Sequence, residues 1–125
     1  MGMLKVPPKT VTVERVAKID GDKGHVQQVR FTATYNRHSS KKALEINDQL
    51  LKGEITDEQL MAEDLVDWTM PGVDGEPVEC TAENVEQAMQ FREYRKELVD
   101  GWFLVQHGRE ALARKNGSTP GVTGQ

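Results

Sequence analysis

Two alternating runs around a glycine-rich turn constrain this chain more than any other feature. In the second run Val29, Phe31, Ala33 and Tyr35 fall on one face, and Arg30, Thr32, Thr34 and Asn36 on the other. Strand side chains point to opposite faces in turn, so the run reads as a half-buried β-strand. The first run alternates through Thr10, Val11, Thr12 and Val13, after which Val16 and Ile19 fall out of phase. That slip predicts a bulge near Glu14-Arg15. Between the runs, Asp20-Gly21-Asp22-Lys23-Gly24 has the composition of a turn. Together they predict a long hairpin. A lone hairpin is marginal in water, so the Phe31/Tyr35 face needs a cover. The expected fold class is therefore α+β: an N-terminal β-hairpin packed on a small bundle of three to four helices, with a disordered C-terminal tail.

The helices are marked by their ends. Ser39 or Ser40 can cap a helix over about 41–51, with Ala43, Leu44, Ile46, Leu50 and Leu51 as its apolar stripe and Gly53 as its stop. Thr56 with Gln59 three residues on has capping-box form. It starts a second helix with Leu60, Met61, Leu65 and Trp68 inward and Glu58, Glu63, Asp64 and Asp67 on the solvated side. The stretch 65–85 then carries Pro71, Asp74-Gly75 and Pro77, which exclude both a helix and a central strand. Thr81 caps a third helix from Ala82 to Phe91 or Tyr94, with Glu83 favouring its N-terminus. In the fourth segment Leu98, Trp102 and Val105 recur at i, i+4 and i+7, with Leu112 seven further on. Phe103 and Leu104 widen that face, which suits either a core helix or an oligomer contact. Asn116-Gly117 ends the helix. The expected organisation is a flexible arm over 1–9, a single α+β domain over 10–117 and a disordered tail over 118–125.

Composition narrows the function. The 125 residues carry a net charge of −4, which opposes sequence-independent nucleic-acid binding. Cys80 is the one cysteine, so no intramolecular disulfide forms. No apolar run reaches membrane-spanning length, and MGMLKVPPK does not read as a signal peptide. His25, His38 and His107 lack metal-ligand spacing. Cys80 precedes a helix cap but has no local base, and Asp20 to Gly24 lacks the later ligands of a calcium loop. No catalytic, cofactor or metal site is expected. The acidic residues Glu54, Asp57, Glu58, Glu63, Asp64 and Asp67 read as a solvated helix face, or as a docking face for a basic partner. Trp68, Leu98, Trp102 and Phe103, with Glu63 and Asp64, are the candidate protein-binding residues, the apolar four serving either packing or partner contact.

Taken in order, these pieces resemble the tail assembly chaperones of tailed bacteriophages. The strand Phe31-Thr32-Ala33-Thr34-Tyr35-Asn36-Arg37 is similar to a family strand of the form F-x-A-x-F/Y-x-R, followed by a small polar residue and a helix. Leu65-Val66-Asp67-Trp68 with Asp74-Gly75-Glu76-Pro77-Val78 is similar to its W-x-x-V-x-D-x-x-G-x-P stretch, and Thr81-Ala82-Glu83-Asn84-Val85 to its T/S-x-E-N-L. The resemblance spans about 10–105. The chain departs from it in a shortened acidic turn after Pro71-Gly72-Val73, and in Tyr94-Arg95-Lys96 where relatives often have a proline turn. The resemblance implies a non-enzymatic factor of the host cytoplasm, absent from the mature virion. Such a factor binds the tape measure protein, helps deliver tail tube protein and self-associates as a homo-oligomer, without nucleic acid, membrane or cofactor. The alternative from another class is a small structural tail or head-completion protein of the virion.

Overall fold

The computed structural model describes residues 2–117, with side chains as far as Gly108. The expected tail, 118–125, and the Leu112 side chain lie outside the described residues. Residues 2–9 are exposed and lack regular structure.

Strands β1 (Thr10–Asp20) and β2 (Val26–Asn36) form the expected hairpin. Their pairing is one to one from Thr10↔Asn36 to Asp20↔Val26. The bulge expected near Glu14-Arg15 is therefore absent, and the reason is chemical. Val11, Val13, Ala17 and Ile19 keep one face, and a charged residue, Arg15, holds the position between them. Its guanidinium is stabilised there by Glu97 at 2.8 Å, with both side chains mostly buried. The turn passes through Lys23 at φ 55° and Gly24 at φ 77°.

The hairpin grows to three strands. Leu65–Trp68 is β3, antiparallel to β2, and the sheet order is β1-β2-β3. This corrects the expectation that Leu65 and Trp68 end a helix. Helix α2 stops at Asp64, and Leu65 turns to extended geometry at φ −81°, ψ 111°. The far side of β2 offers unpaired N–H and C=O groups, and a strand there satisfies them. The register shifts between Thr34 and Tyr35, which face Asp67 and Leu65, so Val66 is the extra residue. Beyond it β4 (Met70–Pro71) and β5 (Pro77–Val78) make a second, minimal hairpin.

Helix α1 is Ser40–Leu51, with Ser39 Oγ accepting from the Lys42 N–H. Gly53 follows it at φ 72°, a left-handed stop. Helix α2 is Asp57–Asp64, and both halves of the Thr56/Gln59 capping box are formed. Helix α3 is Ala82–Met89, capped by Thr81 Oγ1 on the Asn84 N–H. Gln90-Phe91 separates it from α4 (Arg92–Gly117), which is broken at Gly108, φ 83°.

The covered sheet face carries Ala17, Phe31, Ala33 and Tyr35. It packs on Leu98, Trp102 and Val105 of α4, with Ile46, Leu60, Met61, Val85 and Met89 completing the core. Leu98, Trp102 and Val105 of the wide apolar face thus belong to the core. Tyr35 is fully buried, and its hydroxyl donates to the Leu98 carbonyl at 2.6 Å. Burial pushes the Tyr35 hydroxyl well above its ordinary pKa. Arg15 opposes that shift, while Glu97 and Asp100 add to it. A phenol held neutral in the fold but free to ionise in the unfolded chain makes stability pH-dependent. The contribution is full below about pH 10, the unfolded value, and falls as pH rises from there towards the folded value. Denaturant unfolding between pH 8 and pH 11 should show this decline, and Tyr35→Phe should flatten it. Equal slopes for the two proteins would contradict the linkage.

Candidate functional site

The stretch from Trp68 to Phe91 builds a hydrogen-bonded ledge beside an open groove. Its first anchor is Trp68, 6% exposed, whose indole N–H donates to the Val78 carbonyl at 2.7 Å. That bond fastens β5 to β3 across the loop. Within the loop the Gly72 N–H donates to the Glu76 carbonyl at 2.7 Å, and the Glu76 N–H donates to Asp74 Oδ1 at 3.0 Å. Gly75 sits at φ 85°, where a side chain is strained, and a Cβ on Gly72 would lie 2.8 Å from the Glu76 oxygen. Asn84 Nδ2 donates to the Glu79 carbonyl at 2.9 Å, tying the loop to α3.

These bonds leave apolar side chains facing outward. A groove of about 480 Å³ is lined by Trp68, Pro71, Val73, Pro77, Ala88, Phe91 and Tyr94, with Asp74 and Glu76 also on it. Val73 is fully exposed and Phe91 is 53% exposed. Exposed apolar side chains grouped around a concavity, with acidic residues among them, have the anatomy of a protein-docking site. Sequence reasoning passed over Phe91 as a helix end and Val73 as part of a turn. For Phe91 the available signal was its i+3 spacing from Ala88, which also lines the groove.

The residues expected at a partner surface divide sharply. Leu98 and Trp102 have no exposed surface, and Trp68 is almost fully covered, so all three pack the core. Phe103 is half-buried, edge-on to Trp102 at 5.0 Å between centroids. Glu63 is exposed. Asp64 corrects the expectation of a solvated face, being 4% exposed. Its Oδ2 accepts from Trp102 Nε1–H at 2.7 Å and lies 2.9 Å from His38 Nε2. Gln106 extends the cluster, accepting from the His38 N–H at 2.9 Å and donating to the Asn36 carbonyl at 2.6 Å. A buried carboxylate needs such donors, and the cluster joins α2, α4 and the link from β2 to α1.

The rest of the acidic face is partly consumed. Arg95 pairs with Asp57 at 3.3 Å and also with Glu58. The Glu58 carboxyl is held below its ordinary pKa by its own backbone N–H and by Arg95, against some desolvation. Burial pushes the Cys80 thiol up, and the Asp67 charge adds to that, opposing a thiolate nucleophile. Among the described residues no group of His, Cys, Asp or Glu is placed to hold a metal ion, and no helix is long and apolar enough to cross a membrane. Comparison with protein-family models, curated proteins and solved structures finds no match to the chain.

Proposed function

We propose that this chain is a tail assembly chaperone of a tailed bacteriophage. It binds the tape measure protein and tail tube subunits in the host cytoplasm, without catalysis, and is absent from the finished virion. The observation that carries the reading is the coincidence of motif and groove. The residues that resemble the family, Trp68, Asp74-Gly75, Pro77-Val78 and Thr81, are those whose bonds and turns hold the apolar groove open. The tape measure protein is long, helical and prone to aggregate, as the resemblance implies. An apolar ridge of such a helix, laid between Val73 and Phe91, would be withdrawn from water. Contacts of this size are individually weak. Several chaperone copies along one long chain give retention, and each can still be released as the tail assembles.

Co-expression with the tape measure protein of the same phage tests the reading. The wild type should raise its solubility and co-purify with it. The double variant Val73→Asp, Phe91→Asp alters exposed positions, so its circular dichroism and melting temperature should stay near wild type. Its yield of soluble tape measure protein should fall about tenfold or more, since two charges would enter an apolar contact. Retention of full solubilising activity by that variant would remove the groove from the reading. Failure of the wild type itself would remove the reading.

A further inference from the structure

The groove beside Trp68 is apolar in most of its lining and one-signed in its charge. Asp74 and Glu76 line it, and no lysine, arginine or histidine does. The imbalance extends along the whole ledge. Residues 68–91 hold five carboxylates, Asp74, Glu76, Glu79, Glu83 and Glu86, and no base. The net charge of the chain is −4, so this stretch alone exceeds it. All five are exposed, and among the described residues none is in an ion pair. Elsewhere Asp57 and Glu58 are matched by Arg95, Glu97 by Arg15 and Asp100 by Lys96. Arg92, the next base along the chain, is engaged with Asp20 and Glu93 instead. Like charges left unmatched around an apolar concavity attract a partner of opposite sign and repel one of their own.

Backbone chemistry decides the form of that partner. Pro71 and Pro77 face each other in β4–β5, and neither has an N–H to offer an added strand. Trp68 Nε1–H and Asn84 Nδ2 donate to the loop's own carbonyls, those of Val78 and Glu79. An extended peptide would bring unpaired backbone groups to a site that has few partners for them. A helix satisfies its backbone internally and asks the groove only for apolar cover. Asn84, Gln87, Ala88 and Phe91 recur at i, i+3, i+4 and i+7 along α3 and the turn after it, a ridge of the kind that packs against another helix. We infer that the groove takes an amphipathic helix whose apolar ridge is flanked by lysine or arginine. The inference rests on the reading of this groove as a docking site, and it adds which helices the site selects. Neutral flanks leave the rim carboxylates unmatched, and acidic flanks are repelled by them.

Titration of the full chain with labelled peptides, read by fluorescence anisotropy, tests it. Three peptides of about 18 residues share one leucine ridge and differ only in its flanks, which are lysine, glutamine or glutamate. At about 50 mM salt the lysine-flanked peptide should bind about tenfold or more tighter than the glutamate-flanked one, with the glutamine-flanked peptide between them. Raising the salt to about 500 mM should close most of that gap. Asp74→Asn with Glu76→Gln keeps an oxygen to accept the Glu76 N–H, so the melting temperature should stay near wild type. It should weaken the lysine-flanked peptide about fivefold and leave the glutamine-flanked one unchanged. Phe91→Ala should weaken both alike, as loss of apolar contact does. A lysine peptide of shuffled order, without a ridge, should bind about tenfold more weakly. Equal binding by the shuffled peptide would reduce the effect to unspecific charge and overturn the inference. A lysine-flanked peptide indifferent to Phe91→Ala would place its contact elsewhere and do the same. A proline-rich lysine peptide that outcompetes the helical one would overturn the helical occupant. Equal affinity for the glutamine and lysine flanks would overturn the basic partner while leaving the groove a docking site. No binding by any peptide at about 1 mM would overturn the inference, and co-expression with the tape measure protein judges the function separately.

Discussion

Trp102→Ala is expected to leave the chain unfolded or molten at 25 °C. The indole has no exposed surface, and its N–H donates to the buried Asp64 carboxylate. Truncating a buried tryptophan costs about 3–5 kcal/mol. Leaving a buried acceptor short of its donor costs about 1–3 kcal/mol more. The sum approaches the whole stability of a typical domain, roughly 5–15 kcal/mol. Near-UV circular dichroism and the denaturation midpoint give the measurement. Trp102→Phe separates the two parts, because it keeps most of the ring and removes the N–H. It should cost about 2–3 kcal/mol. In a double-mutant cycle with Asp64→Ala, the two changes should couple by about 1 kcal/mol or more, because Asp64→Ala already removes the group that Trp102→Phe orphans. A Trp102→Phe protein as stable as the wild type would show that the bond contributes nothing.

What could be read in the sequence was local. Ser39, Thr56/Gln59 and Thr81 act within one helical turn, so their caps follow from a few adjacent residues. The β1–β2 hairpin is closed by its own turn, and its covered face follows from alternation. Long-range terms decided the rest. Leu65–Trp68 continues the helical spacing of α2, yet the chain becomes a strand because β2 has a free edge to fill. The bulge expected near Glu14-Arg15 rested on the phase of Val16 and Ile19; Ile19 keeps the face of Val13, and Arg15 holds its place between them because Glu97, 82 residues away, pairs with it. Asp64 looked solvated because His38 and Trp102 are 26 and 38 residues distant. A charge pattern on a helix cannot reveal that another helix brings a donor to one of its carboxylates. The groove was half legible. Its turn residues were plain, but the outward placement of Val73 and Phe91 depends on how β4–β5 stands against α3. That in turn depends on bonds between elements, Trp68 to Val78 and Asn84 to Glu79.

Gly101→Ala should be strongly destabilising, although alanine favours a helix by about 1 kcal/mol over glycine. Gly101 is buried on the face of α4 turned to the sheet, directly beneath Tyr35. A Cβ there would overlap the Tyr35 hydroxyl oxygen and sit 3.0 Å from both Cε1 and Cζ of the ring. The ring has little room to yield. It is fully buried, and its hydroxyl is held by the Leu98 carbonyl one helical turn earlier. Either α4 lifts from the sheet or Tyr35 leaves its rotamer and breaks that bond. Overpacking of this kind costs about 1–3 kcal/mol, and a lost buried bond adds about 1 kcal/mol. With the gain in helix propensity subtracted, the net expectation is a loss of about 1–3 kcal/mol, seen as a lower denaturation midpoint with an unchanged slope. Tyr35→Phe alone should cost about 1 kcal/mol. In the double variant the hydroxyl overlap is gone and its bond has already been lost, so the combined cost should fall below the sum of the single costs. Simple additivity would place the damage of Gly101→Ala somewhere other than the Tyr35 hydroxyl. A stabilised Gly101→Ala protein would mean that helix propensity, and not the approach of strand to helix, selects the residue at this position.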